Sequence, residues 1–349
     1  MPNLCGSIGS SDAKFGLLIG AAFGALVAAG HPADALTIVP SFDPSWAAAP
    51  AGATLAVNNV ITEYEKDFTN PITITVAFGW GEIGGFAGSP GATPVTSGAV
   101  GNVNGFTLYT LAQTKSFYNT AVGLQPTNTA LATANAHLPA TFPNPAPGGS
   151  SLFGIGDSEY LALNGVAQNG NTVDGYLGVA TNFCGGGTCP YDFTGGTPGP
   201  TAIDFTAVIE HELSHAMGRL DQAFVSPHPP ELTPLDFFKY QDNGGTCPTT
   251  LDPRFDVTCF SIDGGATNPL GRTFSNVSDS GDWINATGDS YNAFIGQGEF
   301  ASVSSADITE MCALGWEGCA AAVPTPEPGT LALLSSALLG FTALRRRRA

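Results

Sequence analysis

The chain is poor in positive charge. Its 349 residues hold 11 lysines and arginines against 29 aspartates and glutamates, a formal net charge of −18. Such a surface repels phosphate backbones, which excludes DNA or RNA as a partner. Apolar runs long enough for an ordinary membrane span are also missing. The two longest, Phe15–Ala29 and Gly329–Leu344, sit at the two ends and fall short of the roughly 20 residues that a helix needs. The seven cysteines never take the CxxC spacing of a structural zinc site. Histidine is scarce at five and methionine at three, Met1, Met217 and Met311. No internal repeat is visible.

The two ends carry export signals. Phe15–Ala29 follows Lys14 and precedes Ala33-Asp34-Ala35, the small-residue spacing of a signal-peptidase site, so residues 1–35 read as a signal peptide cleaved before Leu36. At the other end Pro326-Glu327-Pro328 is followed by the apolar run and then by Arg345-Arg346-Arg347-Arg348. Sixteen helical residues reach about 24 Å, short of a hydrocarbon core of about 30 Å. This three-part ending resembles the PEP-CTERM sorting signal of Gram-negative bacteria. The resemblance implies transient membrane contact by residues 323–349 and removal by an exosortase-type enzyme. The arginines would stay cytoplasmic and the body would face out, to the cell surface or beyond. Cysteine usage agrees with export. Cys5 leaves with the signal, and Cys184 and Cys189, Cys247 and Cys259, Cys312 and Cys319 lie in neighbouring pairs that favour three short disulfides among fifteen possible connectivities.

Specific chemistry is concentrated in His211-Glu212-Leu213-Ser214-His215-Ala216-Met217-Gly218-Arg219-Leu220-Asp221. Two histidines four residues apart share a helix face and can bind one metal ion. A glutamate after the first histidine can take a proton from metal-bound water, and a catalytic zinc wants a third protein ligand beside the water. Gly218 lets the helix stop in a left-handed turn, so that Asp221 could return toward the metal. The eleven residues resemble the metzincin zinc endopeptidases, whose pattern is HExxHxxGxx followed by His or Asp. The resemblance implies zinc on His211, His215 and Asp221, Glu212 as general base, and a protein or peptide substrate. His228 and Glu231 stay open as other third ligands. Metzincins also place a methionine in a tight turn beneath the metal. Met217 lies inside the motif and Met311 inside the expected last helix, so that turn has no evident counterpart here.

The surrounding pattern fits an α+β body over residues 36–322. The resemblance implies a metzincin-like twisted mixed sheet with long helices, two lobes flanking a zinc cleft, and the smaller lobe beginning after Gly218. Ile203, Phe205, Val208, Ile209, Leu213 and Ala216 recur at helical intervals through the motif, with Asp204 or Thr206 as the cap. Leu36–Val39 reads as a strand. Leu55, Val57, Val60, Ile61, Tyr64 and Phe68 form the stripe of an amphipathic helix, and Ile72, Ile74, Val76 and Phe78 alternate as a strand. Further helices are expected over Ser116–Leu124 and Ser305–Leu314. Gly175–Asn182 reads as a strand, and in metzincins the edge strand ahead of the active helix pairs with extended substrate. Residues 84–105 and 139–151 are rich in Gly, Pro, Ala, Thr and Ser and read as long surface loops. The Asp- and Gly-rich stretch from Gln241 to Asn292, including Ser278-Asp279-Ser280-Gly281-Asp282, reads as solvated turns, with Ca2+ as the alternative occupant. Two functions follow, an exported zinc endopeptidase or a non-catalytic surface or matrix protein on the same fold. A retained Glu212 favours the enzyme.

Overall fold

The computed structural model describes residues 35–84, 93–143, 152–186, 189–221, 232–242, 247, 250–251 and 257–318. The expected signal peptide and sorting segment, His228, Glu231 and Cys319 lie outside the described residues. Within them the protein is a mixed α+β body with several small sheets and six α-helices.

The principal sheet has four strands, β1 (Thr37–Phe42), β2 (Thr73–Trp80), β3 (Ala99–Val103) and β4 (Gly175–Val179), in the order β1-β2-β4-β3. The first three in that order are parallel, with Thr37 opposite Thr73 and Val76 opposite Gly175. β3 closes the row antiparallel, Ala99 opposite Val179. Ile74, Val76 and Phe78 of β2 are buried at alternate positions, as the period-two pattern requires. Two expectations change here. Gly175–Val179 is a strand, but it is paired on both sides and is no edge. The edge is β3, which lies inside the segment expected to be a surface loop. Its sequence, Ala-Val-Gly-Asn-Val, is too short and too rich in small residues to announce a strand.

α1 (Ala51–Asp67) buries Ala53, Ala56, Val57, Val60, Ile61 and Tyr64. Leu55 is instead exposed. It stands two residues before Val57, about 200° around the helix from the stripe that Val57, Val60, Ile61 and Tyr64 make. α2 (Leu111–Leu124) begins five residues earlier than the apolar pattern suggested, because Thr110 and Gln113 form a capping box. α3 (Thr129–His137) and α4 (Asp157–Asn164) are short and carry weak patterns. Asn128 caps the first through Leu131 N at 3.0 Å, and Gly165 at φ +68° ends the second. α5 (Phe205–Ala216) carries His211, Glu212 and His215, and α6 (Ser305–Ala313) packs on α3. Past α5 the chain forms a small antiparallel sheet from Lys239–Gln241, Thr258–Phe260 and Thr273–Phe274. Phe260 and Phe274 of this sheet pack with Trp283 in tilted and edge-on contacts, their ring centroids 4.7 to 6.0 Å apart. Disulfides join Cys184 to Cys189 and Cys247 to Cys259. Among the described residues no helix is long and apolar enough to cross a membrane.

Candidate metal centre

α5 is fixed at its start by Asp204, whose carboxylate accepts from the backbone N–H of Thr206 at 3.0 Å and of Ala207 at 3.3 Å. Phe205, Ile209, Leu213 and Ala216 seat one face in the main core. Tyr64 of α1 donates to the Glu210 carbonyl at 2.6 Å, which tethers the middle of the helix. The opposite face carries His211 and His215, their ring centroids 4.8 Å apart and their planes at 70°.

Each imidazole is oriented by a backbone carbonyl. His211 Nδ1 lies 2.8 Å from Ser290 O, and His215 Nδ1 bonds Arg219 O. A carbonyl oxygen can only accept, so both Nδ1 atoms carry a proton, and in the neutral form of each ring, the form that binds a metal, Nε2 presents a lone pair. The two Nε2 atoms are 3.0 Å apart and converge with Asp282 Oδ1, which is 3.3 Å from His211 Nε2 and 3.1 Å from His215 Nε2. Three ligands of a tetrahedral zinc with bonds near 2.0–2.1 Å stand about 3.3 Å apart. The triangle formed by the two nitrogens and the oxygen therefore has the dimensions of one face of such a site. Two lone pairs and a carboxylate at this separation call for a positive charge among them. The field shows in the protonation equilibria. Burial alone would lower the His211 pKa, yet the Asp282 carboxylate and its hydrogen bond raise it to about 9. Burial would raise Asp282, and His211 and Arg219 together hold it well below the usual carboxylate range.

Asp282 stands where the sequence reading put Asp221. Among the described residues, the side chains that converge in a group able to hold a metal ion are His211, His215 and Asp282. The Asp221 carboxylate instead pairs with Lys239 Nζ and accepts from Ser280 Oγ, all three side chains being buried. The reason lies in the turn. The chain leaves α5 at Ala216, and Gly218 adopts φ +113° as expected of a glycine stop. Arg219 N bonds back to Ser214 O and Leu220 N to Gly218 O, and this winding sends Arg219 inward. The Ser278–Asp282 run, expected to be solvated, has Ser280 and Asp282 buried against the motif. No spacing rule connects an aspartate some sixty residues downstream to two histidines, so the signal for Asp282 was absent from the sequence.

Arg219 is fully buried. Its Nε donates to Ser214 Oγ at 2.7 Å, and Nη1 to Gly281 O at 2.6 Å and to Asp282 Oδ1 at 2.9 Å. Nη2 lies 3.1 Å from His215 Nε2, and the guanidinium carbon lies 4.3 Å above the Tyr291 ring.

Glu212 sits beside His211, 8% exposed, at a cavity of about 140 Å³ that His211, Phe183, Val208, Asn292 and Phe294 also line. Burial raises its carboxyl pKa and the two histidines oppose the rise. The edge strand β3 runs along α5 at this point. A Cβ on Gly101 would lie 2.0 Å from the Glu212 carbonyl oxygen, so only glycine permits the approach.

Comparison with known proteins bears on the far end of the chain. Residues 324–348 match the PEP-CTERM protein-sorting motif. This protein is therefore exported, sorted to the surface of a Gram-negative cell, and a substrate of an exosortase-type processing enzyme. No curated protein and no solved structure matches the chain.

Proposed function

We propose that the exported body is a zinc-dependent endopeptidase. The observation that carries this reading is the meeting of His211, His215 and Asp282 at zinc-ligand spacing, with Glu212 at the adjoining cavity. The residues suit the ion by three criteria. Both Nδ1 protons are committed to backbone carbonyls, the third donor is an anionic oxygen, and the separations are those of one tetrahedral face. His211, His215 and Asp282 would hold the zinc, which supplies Lewis acidity to a water and to a scissile carbonyl. Glu212 is the general base. Its desolvated carboxyl has a raised pKa, so its carboxylate is the more eager to take the proton of an attacking water and pass it to the departing amine. The outer edge of β3 beside α5, which pairs with no other strand among the described residues, is the surface on which an extended peptide would pair, in place of the Gly175–Asn182 segment.

One observation favours a second reading. Arg219 already supplies a positive charge to Asp282 and a donor to His215, so the polar cluster can close on itself in a non-catalytic surface protein. Turnover of an unstructured protein such as casein by zinc-loaded wild type and by Glu212→Ala separates the two. Loss of a general base typically costs 10²- to 10⁴-fold. The endopeptidase reading requires that loss with the zinc content unchanged. A wild type that binds one zinc per chain and cleaves nothing in a broad peptide library leaves the surface-protein reading in its place.

A further inference from the structure

We infer that Arg219 is an internal rival of the metal ion, a positioning residue that holds Asp282 in place and at the same time competes for His215. The inference rests on the zinc site proposed above but not on its peptidase activity.

The competition follows from counting lone pairs. His215 Nδ1 donates to the Arg219 carbonyl, so the neutral ring, the form that can ligate a metal, has a single lone pair, on Nε2. Arg219 Nη2 lies 3.1 Å from that atom. A metal ligated by His215 needs the same lone pair, and one lone pair serves one partner. Arg219 thus grips His215 from both ends, accepting at its backbone oxygen and donating from its side chain. A guanidinium has five N–H donors and no acceptor, so it cannot lose its charge to make room. It can only surrender the Nη2 contact while keeping the others.

Those other contacts explain why it stays close. Nη1 holds Asp282 Oδ1 and Gly281 O, Nε holds Ser214 Oγ, and the plane rests on Tyr291. These four contacts link α5 to the 281–282 segment and to Tyr291. They fix the third ligand relative to the two histidines by protein interactions alone. Two consequences follow. The site is preorganised whatever occupies it, and the affinity for a divalent cation is lower than the ligand set would give without a fixed positive charge beside it.

The test is a zinc titration of the mature protein against a colorimetric chelator, with Arg219→Gln and Arg219→Lys beside wild type, together with the melting temperature with and without zinc. Hydrogen bonds to charged groups contribute about 1.5–3 kcal/mol, so removing the rival donor is expected to tighten zinc binding by ten- to a hundredfold. Both variants are also expected to melt earlier without zinc and to gain more from it than wild type, since stabilisation by a ligand grows with its affinity. Arg219→Lys keeps a cation for Asp282 but cannot span Ser214, Asp282 and His215 together, so it tests the rivalry even where Arg219→Gln does not fold. A merely structural arginine gives the opposite sign, with zinc affinity falling along with stability. Affinity that is unchanged or weaker in the variants overturns the inference, as does a site that takes no zinc in any of the three proteins. Tighter binding in the variants combined with no peptidase activity in wild type leaves the inference standing and removes only the enzymatic reading.

Discussion

Asp221 and Asp282 are both buried aspartates near the end of the motif, and the structure gives them separable roles. Replacing Asp221 with Asn strands the buried Lys239 ammonium, which is 1% exposed, and weakens the acceptor of the Ser280 hydroxyl. Removing one partner of a buried pair costs about 3–5 kcal/mol, because the remaining charge loses its directly bonded carboxylate and has no water to replace it. At about 2–4 °C per kcal/mol for a domain of this size, the melting temperature should fall by roughly 6–20 °C. Zinc content after dialysis against a slight excess of the ion should stay at about one per chain. Asp282→Ala should do the reverse in that assay and leave less than stoichiometric zinc, since a two-histidine site lacks the third protein ligand. It also strands Arg219, so metal content and not stability is the readout that tells the two apart. The double variant Asp221→Leu with Lys239→Met completes the cycle. Exchanging both charges for apolar side chains of similar size is commonly neutral or stabilising, so most of the lost stability should return. An Asp221→Asn protein that melts like wild type but has lost its zinc would refute the assignment and restore Asp221 as the ligand.

Two further outcomes follow from the same packing. Gly218→Ala meets both a left-handed backbone at φ +113° and a neighbour, since its Cβ would lie 2.6 Å from the Glu159 Cβ. The conformation costs about 1–2 kcal/mol and the overlap about 1–3 kcal/mol, so urea denaturation should show a loss of about 2–5 kcal/mol, and a loss under 1 kcal/mol would contradict the turn. Asp236, whose carboxylate accepts from the Thr233 N–H at 2.7 Å, is pushed up by burial to about 7. The folded state therefore holds a proton that the unfolded chain releases near pH 4. Stability from this group is full below the unfolded pKa and is lost as the pH rises toward 7, at up to about 1.4 kcal/mol per pH unit. Denaturation midpoints measured from pH 4 to 7 should lose that slope in Asp236→Asn, and an unchanged slope would show that other groups set it.

How much of this was legible from residues alone depends on the range over which each feature is determined. Where the signal is local and periodic, the reading held. Val57, Val60, Ile61 and Tyr64 gave α1, the alternation of Ile74, Val76 and Phe78 gave β2, and His211 to His215 share a helix face because i and i+4 always do. Gly218 adopts the positive φ that its place after the helix suggested. Elements without a pattern were missed. α3 consists largely of Ala, Thr and Asn, and β3 sits in a stretch whose glycine is there to let the Glu212 carbonyl approach.

The position of Asp221, away from the two histidines, has a deeper reason. A motif of consecutive residues assigns ligands by spacing, yet which side chain after Gly218 turns inward depends on what waits for it. Asp282 and the Tyr291 ring are there to receive a cation, and Lys239 and Ser280 are there to receive an anion. Arg219 and Asp221, two residues apart, go to the partners of opposite charge, and Asp221 is drawn away from the two histidines. Those partners come from residues 239 to 291, a stretch whose Asp, Ser and Gly content is shared by ordinary solvated turns. Composition cannot separate a turn that is solvated from one folded back over a helix. Phe274 and Trp283, buried in the core at the two ends of the 275–282 loop, go with the burial of Ser280 and Asp282 beside the motif, and the polar loop becomes one wall of the candidate site.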